Sequence, residues 1–382
     1  MPLSKKNRKA RTLLLSADFA GIGVIGLACR KMRVKFQFKD VCDISAKCRA
    51  VFQKLFPETV HMHSDVTKRE KLRKCDLLML TPPCQDFSSE GKRLGCKKKR
   101  GRLIRSSLKA IKKLKRKRRP RAIILENVAS LLTNRFHRRT MVKPITKKLK
   151  AMGYSVRWRL LLTSEHGVPQ TRRRAWLVAI KKRCCKHRFC WPSPIPLRYT
   201  MTDVLVGRQE DCWRKPRTKF GTSTRRRVHA LMRRAKRKHF RSAAQMVRSV
   251  SETRLPLLVD IDCSESRARS SADGMAWTLT ATRGQSGGPF VANLGRRTNV
   301  TEMMWMQGID AEDVVPALDQ CPNLKPSTVG HMLGNATSLN VTERLLRQVL
   351  ISIGFAKESE LPDRWADKTV EVFHERCHWR GC

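Results

Sequence analysis

The sequence predicts an α/β protein whose mostly parallel sheet carries helices on both faces. Three observations lead there. Four short apolar runs recur with charge or proline at their ends, stretches of helical spacing lie between them, and a glycine-rich turn follows the first run. Strands buried on both faces read as continuous apolar runs, and strand–helix alternation places them in a parallel sheet.

Taken in order, the expected strands are TLLLSA (residues 12–17), CDLLML (75–80), RAIILE (121–126) and AWLVAI (175–180). Residues 45–56 and 106–117 are expected helices. In the second, Leu108, Ile111 and Leu114 mark one face and Lys and Arg the other. Near Lys181 the texture changes. Residues 184–271 are rich in Arg, Cys, Trp and Pro, with weak periodicity apart from a basic, helix-like run over 225–250. Regular patterning returns at AWTLTATR (276–283) and closes on a helix expected over 341–353. The organisation this predicts is one discontinuous domain, 1–183 with 272–355, a smaller domain over 184–271, and a loosely attached tail over 356–382.

The 382 residues hold 82 Lys plus Arg against 31 Asp plus Glu, a formal net charge of +51. Such a field repels itself unless neutralised, and nucleic acid is the commonest dense polyanion. No apolar run is long enough to span a bilayer, and the first residues lack a secretory apolar region, so neither membrane insertion nor export is expected. Fourteen irregularly spaced cysteines fit free thiols in a reducing compartment. The run KKLKRKRRPR (112–121) reads either as a nuclear import signal or as a solvated, phosphate-facing strip. Two Cys/His clusters, 184–190 and 374–382, lack matched C-x-x-C pairs, so no metal centre is expected.

The chemistry concentrates in two stretches. In DFAGIGVIGLACRK (18–31), Gly21, Gly23 and Gly26 have G-x-G-x-x-G spacing directly after a strand, and Asp43 lies about 20 residues past them, where a ribose-binding carboxylate would stand. NAD and S-adenosylmethionine (SAM) are served equally by this pattern. In LMLTPPCQDFSSEGKRLG (78–95), a strand runs into Pro82-Pro83 and then Cys84. Ligands bind at the carboxyl ends of parallel strands, so Cys84 is a candidate nucleophile and the polar loop 88–99 a candidate lid.

PPCQDFS resembles the Pro-Cys-Gln motif of the C5-cytosine methyltransferase family, and further motifs follow in that family's order. DFAGIG resembles its cofactor-binding first motif, and SDVTK, with Asp65, the acidic turn at the cofactor's adenine. LENVASLL carries Glu126, Asn127 and Val128, and GVPQTRRRAWLVAI carries Gln170, Arg172 and Arg174. RTNVTEMMWMQG resembles the ninth motif and GNATSLNV the tenth, at Gly334-Asn335. Ala17 stands where the family's first motif has an acidic residue, with Asp18 next to Phe19; Val24 replaces a Gly, Ala336 a Ser, and Leu103 is the remnant of the fifth motif.

The resemblance implies a Rossmann-like SAM-dependent methyltransferase fold with a smaller target-recognition domain over 184–271. It implies Cys84 as the thiolate that adds to carbon 6 of cytosine, with Glu126, Arg172 and Arg174 completing the catalytic set. It implies SAM as cofactor, held by Phe19, Ala20, Gly21, Gly23, Asp43, Asp65, Pro82, Leu103 and Asn335. The expected partner is double-stranded DNA, with tRNA as the alternative substrate, for a monomeric nuclear enzyme that rotates its target base out of the stack. An NAD-dependent oxidoreductase, resting on the glycine spacing alone, is the reading from another class.

Overall fold

The computed structural model describes residues 11–69, 71–83, 101–205, 222–239, 256–264, 269–292 and 294–370. Cys84, the loop 88–99, the distal end of the basic run (240–250) and the cluster at 374–382 lie outside these residues. The chain divides into two compact units: Met1–Leu161 with Arg174–Pro192 and Thr342–Asp363, and Leu162–Arg173 with Ser193–Val341 and Arg364–Cys382.

The first unit is built on a seven-stranded sheet. Its strands are β1 (Leu13–Asp18), β2 (Phe36–Cys42), β3 (Met62–His63), β4 (Leu77–Leu80), β5 (Ala122–Val128), β6 (Tyr154–Leu162) and β8 (Arg173–Lys181), while β7 (Gln170–Thr171) pairs elsewhere. Their order is β3-β2-β1-β4-β5-β8-β6. From β3 to β5 the neighbours run parallel, and β8 is antiparallel to β5, with Glu126 opposite Trp176 and Val128 opposite Arg174. All four expected strands are present. The alternating FQFKDVC of β2 and the half-polar β6 escaped the apolar-run criterion, because each buries only part of its length.

Three helices shape the working edge: α1 (Val24–Lys31), α2 (Ala46–Leu55) and α3 (Gly101–Lys113). Ser45 caps α2 by accepting from the Cys48 amide at 3.2 Å. Helix α3 begins five residues before its expected start; as expected, its Leu108 and Ile111, with Leu114 just past its end, are buried in one cluster with Leu78, Leu80, Ile123 and Leu125. Gly23 and Gly26 are required by packing. A Cβ on either would stand 2.6 Å from the ring of Phe56, within a cluster of edge-on rings formed by Phe36, Phe38, Phe52 and Phe56.

The second unit contains a four-stranded sheet of two-residue strands, β9 (Leu258–Val259), β10 (Ser270–Ser271), β12 (Phe290–Val291) and β13 (Arg296–Arg297), and the pair β7–β11 (Ala276–Trp277). The helix Thr222–His239 buries Val228, Leu231 and Ala235 against Leu257, Val259, Ile261 and Phe290. The helices Ala281–Gln285 and Pro326–Asn335 meet where a Cβ on Gly284 would lie 1.9 Å from the Gly330 carbonyl oxygen. Only paired glycines permit that approach.

The segment from Ala356, expected as a loose tail, is packed as far as Val370. Leu361 and Trp365 are fully buried, Arg344 holds Asp363 at 3.0 Å and Arg347 holds Glu358 at 3.1 Å. Its apolar anchors are too widely spaced to show periodicity.

Candidate active site

Two unusual backbone segments meet at the carboxyl ends of β1 and β4. After β1, Phe19, Gly21 and Gly23 all have positive φ (62°, 55° and 78°), so the chain reverses before α1. For Phe19 this is a strained choice that the surrounding bonds must hold. Thr81 supplies them: its hydroxyl donates to the Phe19 carbonyl at 2.7 Å and its amide to the Asp18 carbonyl at 3.2 Å. Pro82 and Pro83 follow at once. The Pro82 carbonyl accepts from the Asn127 side-chain amide at 3.1 Å, and the Asn127 oxygen accepts from the Val128 amide at 3.0 Å. The glycine turn, the strand end that leads into Cys84 and the end of β5 are thereby tied together.

Asp43 sits at the head of the turn. Its two carboxylate oxygens accept from the Gly21 amide at 2.8 Å and the Ser45 amide at 2.9 Å. Beside it, Ile44 is 82% exposed, an unusual position for a large aliphatic side chain. At Gly21 a Cβ would meet nothing within 4 Å. Asp65 closes an Asx turn on Thr67, accepting from its amide at 2.8 Å and its hydroxyl at 2.7 Å. Those bonds favour the ionised form and hold the carboxyl below its ordinary pKa. Ala20 donates to the Cys42 carbonyl at 3.1 Å, and Leu103 is half-buried near the start of α3.

Beneath the turn lies a polar group that sequence reasoning missed. Asp18 is fully buried and receives both terminal nitrogens of Arg69, one at 2.9 Å, and the Ser107 hydroxyl at 2.6 Å. Burial pushes the Arg69 pKa down, the Asp18 charge pushes it up, and the net shift is upward. The signal available in the sequence was an aspartate inside an otherwise apolar strand, which demands a buried cation.

Glu126 and Arg174 face each other across β5 and β8. Glu126 is 7% exposed, and the Arg174 Nε lies 3.2 Å from its Oε1. The pair is diagonal in the antiparallel register, a spacing that a long Arg side chain can bridge. Of the cysteines near this edge, Cys42 is buried, and burial foremost, with the Asp18 charge, pushes its thiol up to about 12, which removes it as a nucleophile.

The other two expected site residues belong to the second unit. Arg172 is 3% exposed, and its guanidinium donates to the carbonyls of Leu279 and Ala336, both at 2.7 Å, and of Gly334 at 3.4 Å. Asn335 is exposed at the last position of its helix. In the same unit the Gln170 side chain donates to the Met306 carbonyl at 2.8 Å, and Asn340 donates to the carbonyls of Thr163 and His166 at 3.0 and 2.8 Å. Among the described residues no group of three or more His, Cys, Asp or Glu is arranged to hold a metal ion. Nor is any helix there long and apolar enough to cross a membrane.

A Rossmann-like sheet with its antiparallel strand beside the last parallel one, a glycine turn after β1 and an acid–arginine pair near the end of β5 fit a nucleotide-dependent α/β enzyme. The family profile described as C-5 cytosine-specific DNA methylase matches residues 18–350, and the chain belongs to that family. A type II methyltransferase of Neisseria gonorrhoeae, M.NgoBV, is 34% identical over 162 residues, covering 41% of this chain and 37% of that protein. The type II methyltransferase M.HaeII of Haemophilus aegyptius is 32% identical over 187 residues, covering 49% of this chain and 55% of its own. The matches thus span between about a third and about half of the length of these curated relatives. Among solved structures, a DNA modification methyltransferase encoded within an E. coli prophage superposes with a TM-score of 0.60 at 16% identity, covering 90% of this chain and 99% of the other. The S. pombe Dnmt2 methyltransferase does so at 0.59 and 15% identity, covering 89% and 98%. At these identities both establish the fold.

Proposed function

We propose that the protein transfers a methyl group from SAM to carbon 5 of cytosine in DNA, through a covalent adduct with Cys84. The observation that carries this reading is the conjunction of the Glu126–Arg174 pair, whose carboxylate is buried, with the Asn127–Pro82 bond, two residues before Cys84 in the sequence. The glycine turn fits SAM: Gly21 leaves room for close approach, the Asp43 carboxylate is fixed beside it, and Ile44 offers an apolar face to a purine ring. Asp65 and Leu103 complete that set. SAM, when bound, supplies an electrophilic methyl group.

The chain's own residues do the rest. The Cys84 thiolate adds to carbon 6, which makes carbon 5 nucleophilic. Glu126, taking up a proton as the base enters, donates to ring nitrogen 3 and accepts from the exocyclic amine, and Arg174 donates to the ring oxygen, so the pair exchanges mutual contacts for contacts to the base. After transfer the carbon 5 proton leaves to water and the Cys84–carbon 6 bond breaks, restoring the thiolate. Arg172 we place as a positioning residue, since its donors hold the backbone on either side of Asn335.

For DNA contact we assign the stretch 184–271, on the strength of the helix Thr222–His239, which leaves Arg233 and Arg237 exposed opposite its buried face. The chain is read as acting as a monomer. These bacterial relatives lend the nuclear expectation no support. The deciding experiment supplies labelled SAM with DNA and with tRNA side by side and maps the modified base. Label in 5-methylcytosine of DNA supports the proposal, and label confined to tRNA overturns the substrate.

A further inference from the structure

The basic run at 112–121 is a built surface at the end of the sheet opposite the site. Residues 101–150 contain a single acidic residue, Glu126. Lys112 and Lys113 close α3, a short 3-10 turn follows over Arg116–Arg118, and β5 then starts at Ala122. Strand β8, running the other way, delivers Lys182 and Arg183 to the same edge, since Ile180 lies opposite Ala122. The Arg183 guanidinium donates to the Arg116 carbonyl at 3.4 Å, which places both strand ends side by side.

This turn is held from beneath. The buried Lys181 ammonium donates to the carbonyls of Arg116 and, at 3.3 Å, Arg119. The Arg119 guanidinium caps α3 through the carbonyls of Leu114 and Lys112, both at 3.2 Å, and the Tyr154 hydroxyl donates to the Pro120 carbonyl at 2.8 Å. Burial, together with the Arg183 charge, pushes the Lys181 pKa down. Lys112, Lys113, Lys115, Arg116, Lys117, Arg118, Lys182 and Arg183 are all exposed, and among the described residues no carboxylate pairs with any of them. A run serving only as solvated charge needs no such internal bracing. Fixing the backbone lowers the ordering cost of binding a ligand that meets many cations at once.

We propose that this edge binds the phosphate backbone of a second nucleic-acid segment, separate from the duplex presented to Glu126. A dense group of like charges with no carboxylate partner among the described residues suits the repeating phosphates of a duplex, and such contacts release counterions. About 13 Å of β5 separates Ala122 at this edge from Glu126, and the two places face away from each other at opposite ends of the strands, so a duplex seated against one end does not lie against the other. Binding here would keep the protein on long DNA between encounters with target cytosines.

The test compares the whole chain with two variants, one carrying Lys115→Ala, Arg116→Ala, Lys117→Ala and Arg118→Ala, the other Lys182→Ala with Arg183→Ala. The probe is a 16-base-pair duplex of A·T pairs, titrated over a range of salt. The unaltered chain is expected to bind two duplexes and the fourfold variant one, with its log–log salt slope shallower by about three to four, and that of the double variant by about two. Methyl transfer to a short cytosine duplex is expected to stay within twofold, which separates this inference from the proposed activity because the binding readout needs no turnover. Unchanged stoichiometry and slope in both variants overturn it. So does a parallel collapse of methyl transfer, which would assign the edge to the reaction site.

Discussion

The side-chain amide of Asn127 donates to the Pro82 carbonyl at 3.1 Å, joining the end of β5 to the strand end that leads into the candidate nucleophile. Asn127 is 1% exposed and its own oxygen is occupied by the Val128 amide, so its orientation is fixed. Replacing it by Ala leaves a buried carbonyl unpaired, at a cost of ~1–3 kcal/mol. Asn127→Ala is expected to slow methyl transfer by about 10- to 100-fold with little change in KM for SAM, because misplacement of a reacting group by about an ångström suffices. Steady-state kinetics check this, and unaltered kcat would remove Asn127 from the positioning apparatus.

Cys84→Ser is expected to abolish methyl transfer while leaving binding to duplex DNA intact, since a hydroxyl is far less ionised than a thiol at neutral pH. A duplex carrying 5-fluorocytosine should trap the unaltered chain as a covalent species, because fluorine at carbon 5 cannot depart as the proton does. Denaturing electrophoresis followed by peptide mapping locates the bond. An adduct on any other residue would falsify the assignment.

Glu126→Gln keeps the shape of the side chain but loses the charge that holds Arg174 at 3.2 Å. Turnover is expected to fall about 100-fold or more, with SAM binding unaffected, since the lost interaction is one made to the reacting base. Calorimetric titration of SAM alongside single-turnover rates separates the two.

The Asp18–Arg69 pair has no exposed side-chain surface on either partner. Arg69→Leu should destabilise the fold by ~3–5 kcal/mol by stranding a buried carboxylate, and Asp18→Leu added to it should recover most of that loss. Chemical denaturation of the three chains gives the comparison; a double variant no more stable than Arg69→Leu alone would refute the coupling.

Asp65 is held below its ordinary pKa by the Thr67 hydroxyl and amide. Its contribution to stability is present above the unfolded carboxylate pKa of ~3.9 and is lost as the pH falls through the lower folded value. Thr67→Ala should move the Asp65 titration upward, as followed by carboxyl NMR. No upward movement would mean that the hydroxyl contributes nothing.

The sheet was legible wherever a strand carries an unbroken apolar run: 13–15, 77–80, 122–125 and 175–180 all stand out against a basic chain. The glycine turn and Asp43 were legible because a strand-to-helix reversal needs positive φ and the carboxylate follows at a set distance, and the Gly21–Asp43 bond joins them. Hidden from the sequence were partnerships between distant residues. Arg69 and Ser107 are 38 residues apart with no shared pattern, yet both serve Asp18. Arg172 and Arg174 look equivalent as alternate residues of one basic run. Their difference appears only when backbone carbonyls occupy the first and a carboxylate the second. The packing of 356–370 was equally invisible, since isolated buried residues such as Leu361 and Trp365 leave no periodic trace.

Because β8 runs antiparallel to β5, the chain arrives at the edge that holds Glu126 through that strand's first residues rather than departing there. Arg173 and Arg174 point to opposite faces, so slippage by a single position would bring the wrong guanidinium inward and leave Glu126 facing an alanine. The antiparallel ladder down to Ala122 and Ile180 works as a vernier: seven paired positions, mostly buried, fix where one cation sits. Substitutions far down that ladder, remote from any reacting atom, should therefore be felt first as a change in chemistry and only afterwards as a change in melting.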